Sequence, residues 1–159
     1  LLIWYRLPGL VAVLSLGIFT TIVLALFKLI PVTLTTAGIA GFIISMGIAV
    51  DANVLIFERI KEELRAGRNI GDAVSTGFSR TWSSIRDSNL STIITAIILF
   101  WFGTALIKGF ALTLGLGVLV SMFSAISVSK AFLSLFAFLP ENKFTRFLFS
   151  SGISSGRIK

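Results

Sequence analysis

Gly47-Ile48-Ala49-Val50-Asp51-Ala52-Asn53-Val54-Leu55-Ile56-Phe57 is the stretch whose reading decides the fold. It closes an apolar run, 36–57, that is long enough to cross a bilayer, since a transmembrane helix needs about 20 mainly apolar residues. No charge stands between Lys28 and Asp51, so one carboxylate lies inside an otherwise membrane-spanning segment. A charge near the bilayer centre costs about 2.5–3.5 kcal/mol on insertion scales. Such a group is kept where it is paired, sits in a wet cavity or moves ions. An apolar surround favours the neutral carboxyl over the charged one. Asp51 is therefore the candidate proton relay; the alternative is a structural carboxylate hydrogen-bonded between helices.

The composition supports a membrane setting. Of 159 residues, 55% are hydrophobic and 13% charged, against about 25% charged in soluble domains. The mean hydropathy is +0.98. The expected fold is all-α, a polytopic transmembrane helix bundle over 1–139 with four full spans at about 10–30, 34–57, 88–107 and 109–129. The opening Leu1-Leu2-Ile3-Trp4-Tyr5, with no initiator Met, reads as the end of a preceding span, and the chain as a fragment of a longer protein. Residues 140–159 read as a short cytoplasmic C-terminal tail. No signal-peptide pattern is visible, because Arg6 follows the apolar stub without a small-residue cleavage site.

Several function classes are excluded. The absence of Cys and His removes disulfides, thiolate sites and the commonest metal ligand and general base. There is no Gly-x-x-x-x-Gly-Lys-[Ser/Thr] loop for a nucleotide. Neither a metal nor an organic cofactor is expected, and the chain reads as a transport component, not an enzyme. The net charge of +7 does not imply nucleic acid, because the basic residues flank the spans. If the spans alternate, Arg6, Arg59, Lys61, Arg65, Arg68, Arg80, Arg86, Lys130, Lys143, Arg146, Arg157 and Lys159 share one side; only Lys28 and Lys108 take the other. The positive-inside rule then puts both termini and the loop 58–87 in the cytoplasm.

Two spans carry small residues every fourth position, which places them on one helix face. One row is Ala37, Gly41, Ser45, Ala49 and Asn53; the other is Gly109, Thr113, Gly117, Ser121, Ala125 and Ser129. Such rows let backbones approach closely in lipid. Gly41, Ser45, Ala49, Gly109, Gly117 and Ser121 are the expected packing seam, either static or sliding between helix groups. Asp51 lies about 200° around the helix from Ala49, so it points away from the row, toward a second bundle or a channel. Asn53 is read as intramembrane polar support through an interhelical hydrogen bond.

In the loop, 58–65 continues the second span as a charged helix, with Glu58–Lys61 or Glu62–Arg65 pairs worth about 0.2–0.5 kcal/mol each. Asn69 is a plausible N-cap for a following segment with Asp72 three residues on. Its stripe of Ile70, Val74, Phe78, Trp82 and Ile85 predicts a short amphipathic cytoplasmic helix, 69–87, lying on the membrane surface or docking a partner.

The run from Val50 to Glu63, then Ser84-Ile85-Arg86-Asp87-Ser88-Asn89-Leu90-Ser91-Thr92, Gly103-Thr104-Ala105-Leu106-Ile107-Lys108-Gly109-Phe110-Ala111 and Ser121-Met122-Phe123-Ser124-Ala125, resembles the SecD family in the same order. The likeness covers roughly 36–132. The sister SecF family typically has Asn before the Asp, Thr after it and Arg-Gly-Phe-Ala later; Ala52-Asn53 and Lys108-Gly109-Phe110-Ala111 favour SecD. The resemblance implies the resistance-nodulation-division superfamily and a proton-motive-force-coupled auxiliary subunit of the Sec preprotein translocase in the bacterial inner membrane. It implies H+ as coupling ion, with Na+ open, and SecF, the SecYEG channel, YajC, preprotein and lipid as partners. It also implies six helices with a periplasmic domain after the first, which this chain lacks. A passive assembly subunit of the export channel, and a related proton-driven exporter, are the rival readings.

Overall fold

The computed structural model describes residues 2–30, 35–129 and 131. Four helices follow one another: α1 (Leu2–Leu29), α2 (Thr36–Arg65), α3 (Ile70–Phe102) and α4 (Ala105–Phe123), the last running into a π-helical segment, Ser124–Ser129. All four are long and apolar enough to cross a membrane. Between 17% and 39% of each span's most apolar window is buried inside the chain, so most of that surface is left for lipid or other protein. Leu14, Leu24, Ile43, Ile98, Trp101 and Phe102 are among the large apolar side chains that remain exposed.

Local chemistry explains the helix ends. Thr35 Oγ1 accepts from the Gly38 N–H at 3.1 Å to start α2, and Asn69 Oδ1 accepts from the Asp72 N–H at 2.7 Å to start α3. Each satisfies an orphan donor of a first turn. Between them the chain reverses through Gly67, whose φ of +87° suits glycine. The expected N-cap at Asn69 is therefore present.

Residues 2–5, read as the end of a preceding span, are instead continuous with the first span in α1. Two further boundaries differ from the sequence reading. The third span ends at Phe102 instead of 107, because the chain turns at Gly103. The Gly103 N–H donates to the Leu99 carbonyl at 2.9 Å, and a Cβ there would lie 2.6 Å from Ile107 Cγ2. Residues 105–107 and Lys108 thus belong to α4. Second, the amphipathic segment is no separate surface helix: it is the first half of α3, continuous with the span. No proline interrupts it, and its mid-helix hydroxyls bond back to their own helix, as Thr81 Oγ1 does to the Gly77 carbonyl at 2.6 Å.

The stripe that looked membrane-bound packs instead on α2. Ile70, Val74, Phe78 and Ile85 are buried in one cluster with Ile56, Phe57 and Ile60 of α2 and Val11 of α1. Gly77 permits the approach, since a Cβ there would sit 2.7 Å from Ile60 Cγ1. Trp82 is the stripe's exception, at 37% exposed. A second cluster joins Phe19, Val23 and Phe27 of α1 to Ala49 and Val120, with Phe27 edge-on to Phe42 at 6.0 Å. Residues 140–159, read as the tail, lie outside the described residues.

An ion cluster closes the α2–α3 hairpin. Glu63 is 5% exposed; its carboxylate accepts from Arg68 Nε at 2.8 Å and Arg80 Nη1 at 2.7 Å. Lys61 pairs with Glu58 at 3.4 Å, as expected, whereas Glu62 pairs backward with Arg59 at 2.6 Å instead of forward with Arg65. Those exposed pairs contribute little. Glu63→Ala removes the acceptor of two charged hydrogen bonds, an expected cost of about 1–3 kcal/mol. Amide hydrogen exchange across 66–80 in the full-length protein should quicken, with little change in α4.

Candidate functional site

Asp51 sits on α2, 15 residues past Thr36, or about 22 Å at 1.5 Å per residue. That distance is shorter than the roughly 30 Å of a hydrocarbon layer. It occupies the face of Ile48, Ala52 and Leu55, opposite the small row, and is exposed within this chain. Across from that face runs α3, presenting Ile85, Ser88, Asn89 and Thr92. Asn89 is 13 residues before Phe102, about 20 Å along its helix, so the two polar groups lie at the same depth. Together these eight residues line an open cleft of about 230 Å³. A water occupies about 30 Å³ in the liquid, so the cleft has room for several.

None of the described residues donates a hydrogen bond or an ion pair to the Asp51 carboxylate. Lys28 near the end of α1 and Lys108 near the start of α4 stand at the end of the bundle away from Asp51. The carboxylate therefore opens onto a partly polar cleft with space for a further group. The lining is polar on the α3 side, through Ser88, Asn89 and Thr92, and apolar on the α2 side, through Ile48, Ala52 and Leu55.

Asn53 lies on the other side of α2. It is 3% exposed, and its Nδ2 donates to the Ala49 carbonyl at 3.1 Å within the same helix. It does not line the Asp51 cleft. The small rows meet each other: α2 and α4 share the most extensive interface of the bundle. A Cβ on Gly41 would lie 2.6 Å from the Phe110 carbonyl oxygen and 3.2 Å from the Leu114 nitrogen, and one on Gly117 would overlap Ser45 Oγ and Cβ. A Cβ on Gly109 would lie 3.0 Å from Thr35 Oγ1. Ala49, Ser45 and Ser121 are 3%, 0% and 1% exposed. Asp51 and the seam thus occupy opposite sides of one helix.

The sequence reading did not bring Ser88, Asn89 and Thr92 to Asp51. Their i, i+1, i+4 spacing, continuing Ile85, was the available signal for a polar patch on one face of α3. Glu63 was likewise seen only as one charge among several.

The MMPL family pattern matches residues 2–154. The chain belongs to the MMPL family. It is similar to proteins named protein translocase subunit SecD: 59% identical over 139 residues to that of Thermobaculum terrenum, covering 85% of this chain and 27% of that one. It is 53% identical over 154 residues to that of Synechocystis, covering 96% and 33%. The chain therefore spans about a third or less of these relatives. A crystal structure of SecDF from Thermus thermophilus, described as a translocon-associated membrane protein, superposes with a TM-score of 0.82 at 40% identity, covering 86% of this chain and 19% of that one. The resemblance to SecD read from the motifs is borne out, and the MMPL-family chain is a multi-pass membrane protein.

Proposed function

We propose that this chain is the ion-coupled membrane part of an auxiliary subunit of preprotein translocation, with Asp51 carrying the coupling proton. The observation that carries it is the Asp51 carboxylate, within the apolar run of a candidate membrane span, opening onto a cleft with room for water and with no ion-pair partner among the described residues. The names of the SecD relatives and of SecDF supply the process. Protonation neutralises the group and lets the cleft close on it; ionisation calls water or a cation back. An electrochemical gradient biases the two states, and one charge crossing 100 mV supplies about 2.3 kcal/mol.

In this reading the counter-charge comes from SecF, the assembly includes the SecYEG channel and YajC, and the membrane is the bacterial inner membrane. The α2–α3 hairpin and both termini lie on its cytoplasmic side, consistent with the basic residues there. Na+ is the alternative coupling ion. The test is export by the full-length Asp51→Asn protein with ATP alone and with an added proton gradient. Loss of the gradient-driven increment supports the relay; an increment equal to wild type rejects it. The tight α2–α4 seam favours a second reading, a passive assembly subunit, in which Asp51→Asn is silent and bulky residues in the seam are not.

A further inference from the structure

The polar groups facing Asp51 differ in what they can still donate. Ser88 Oγ gives its one proton to the Ile85 carbonyl at 3.1 Å, and Thr92 Oγ1 gives its own to the Ser88 carbonyl at 3.2 Å. Both hydroxyls then turn only lone pairs to the cleft. Asn89 is the exception. It is 2% exposed, and none of the described residues hydrogen-bonds its side chain. Yet no described side-chain polar atom is sealed from solvent without a partner. What remains accessible of Asn89 is therefore its amide, and the space it opens to is the cleft that it lines with Asp51.

A sealed amide without a partner would cost about 1–3 kcal/mol; access to the cleft leaves this one available to a group there. An amide offers two N–H donors and a carbonyl acceptor. An ionised carboxylate only accepts; a protonated one also donates. Asn89 can serve both forms by rotating its side chain, which neither hydroxyl can do while bound to its helix. Asp87, the other polar member of the Asp87-Ser88-Asn89 motif, is held by Arg86 at 3.0 Å with its side chain 65% exposed, outside the cleft. Asp51 is the single charged residue among the cleft's lining.

We infer that Asn89 is a positioning residue for Asp51: Nδ2–H donates to the ionised carboxylate through the cleft, and Oδ1 accepts from the protonated form. The inference rests on Asp51 being the relay. It assigns a role to the polar patch at the base of the third span. It also makes α3 the element that registers a change of protonation on α2, because the same side chain must reorient when the proton arrives.

The test combines infrared spectroscopy and export with the full-length protein. The stretching band of the protonated Asp51 carboxyl is assigned by its disappearance in Asp51→Asn. In Asn89→Leu, close in size but without donor or acceptor, that band is expected to move to higher wavenumber as its hydrogen bond is lost. The gradient-driven export increment should fall about tenfold, equivalent to about 1.4 kcal/mol, and Asn89→Gln, which keeps the amide, should recover most of it. If Asn89→Leu does not accumulate, Asn89→Ala is read by the same band. A band that stays in place in the variant measured overturns the role of Asn89 while leaving the relay standing. A full gradient response in Asp51→Asn overturns the relay itself.

Discussion

Gly117→Val in the full-length protein is expected to abolish stable assembly of the bundle, seen as a loss of about 1–3 kcal/mol or more in stability and a several-fold drop in membrane accumulation. The added Cβ alone would overlap Ser45. Ser45 cannot easily yield: it is fully buried and its hydroxyl donates to the Phe42 carbonyl at 2.8 Å. Valine adds two further methyls at the same point, and β-branching leaves it one strongly preferred rotamer in a helix. Gly41→Val should behave alike, because its obstacles are the Phe110 carbonyl oxygen at 2.6 Å and the Leu114 nitrogen at 3.2 Å. Backbone atoms of α4 move only if the whole helix does. The controls lie elsewhere in the same bundle. A Cβ on Gly115 meets Ala96 at 3.5 Å, an ordinary contact, and one on Gly17 meets nothing within 4 Å. Gly115→Ala and Gly17→Ala should accumulate normally. A Gly117→Val protein as stable as wild type would mean that the α2–α4 interface is not tight in the assembled protein.

Asp51→Asn and Asp51→Glu separate ionisation from shape. Asparagine nearly matches aspartate in size and keeps the cleft filled, but it cannot gain or lose a proton at this depth. The gradient-driven part of export is expected to fall to background. Glutamate keeps the acid and adds one methylene, for which a cleft of about 230 Å³ has space. One methylene misplacing a group in a fitted site is worth about 1–3 kcal/mol, so Asp51→Glu should retain a measurable increment reduced about tenfold or more. An increment kept in Asp51→Asn but lost in Asp51→Glu would point to a requirement for shape at this position and would contradict proton transfer there.

Much of this was legible in the sequence because membrane helices announce themselves by length and apolarity. The four spans, the N-cap at Asn69 and the small-residue rows needed only the 3.6-residue period. Helix partners were harder. Periodicity says that Asp51 faces away from Ala49, but not which helix it faces; α3 took that place because the loop 66–69 is short and Gly77 lets α3 lie close on Ile60. The same packing explains the amphipathic stripe. Apolar residues at 70, 74, 78 and 85 look alike whether they meet lipid or α2, and the α2 extension supplied Ile56, Phe57 and Ile60 to cover them. The turn at Gly103 was misplaced by a few residues because hydropathy hardly changes from Leu99 to Ile107. Glu63 was hidden among neighbouring charges until the hairpin brought Arg80 back to it.

Proton movement itself is the most direct measurement. The full-length protein, reconstituted with its partner subunits in vesicles holding a pH-sensitive dye, is given an imposed gradient and a translocating substrate. Flux that appears with substrate in the wild type and vanishes in Asp51→Asn is the expected result. Substrate-linked flux that persists unchanged in Asp51→Asn would contradict the relay.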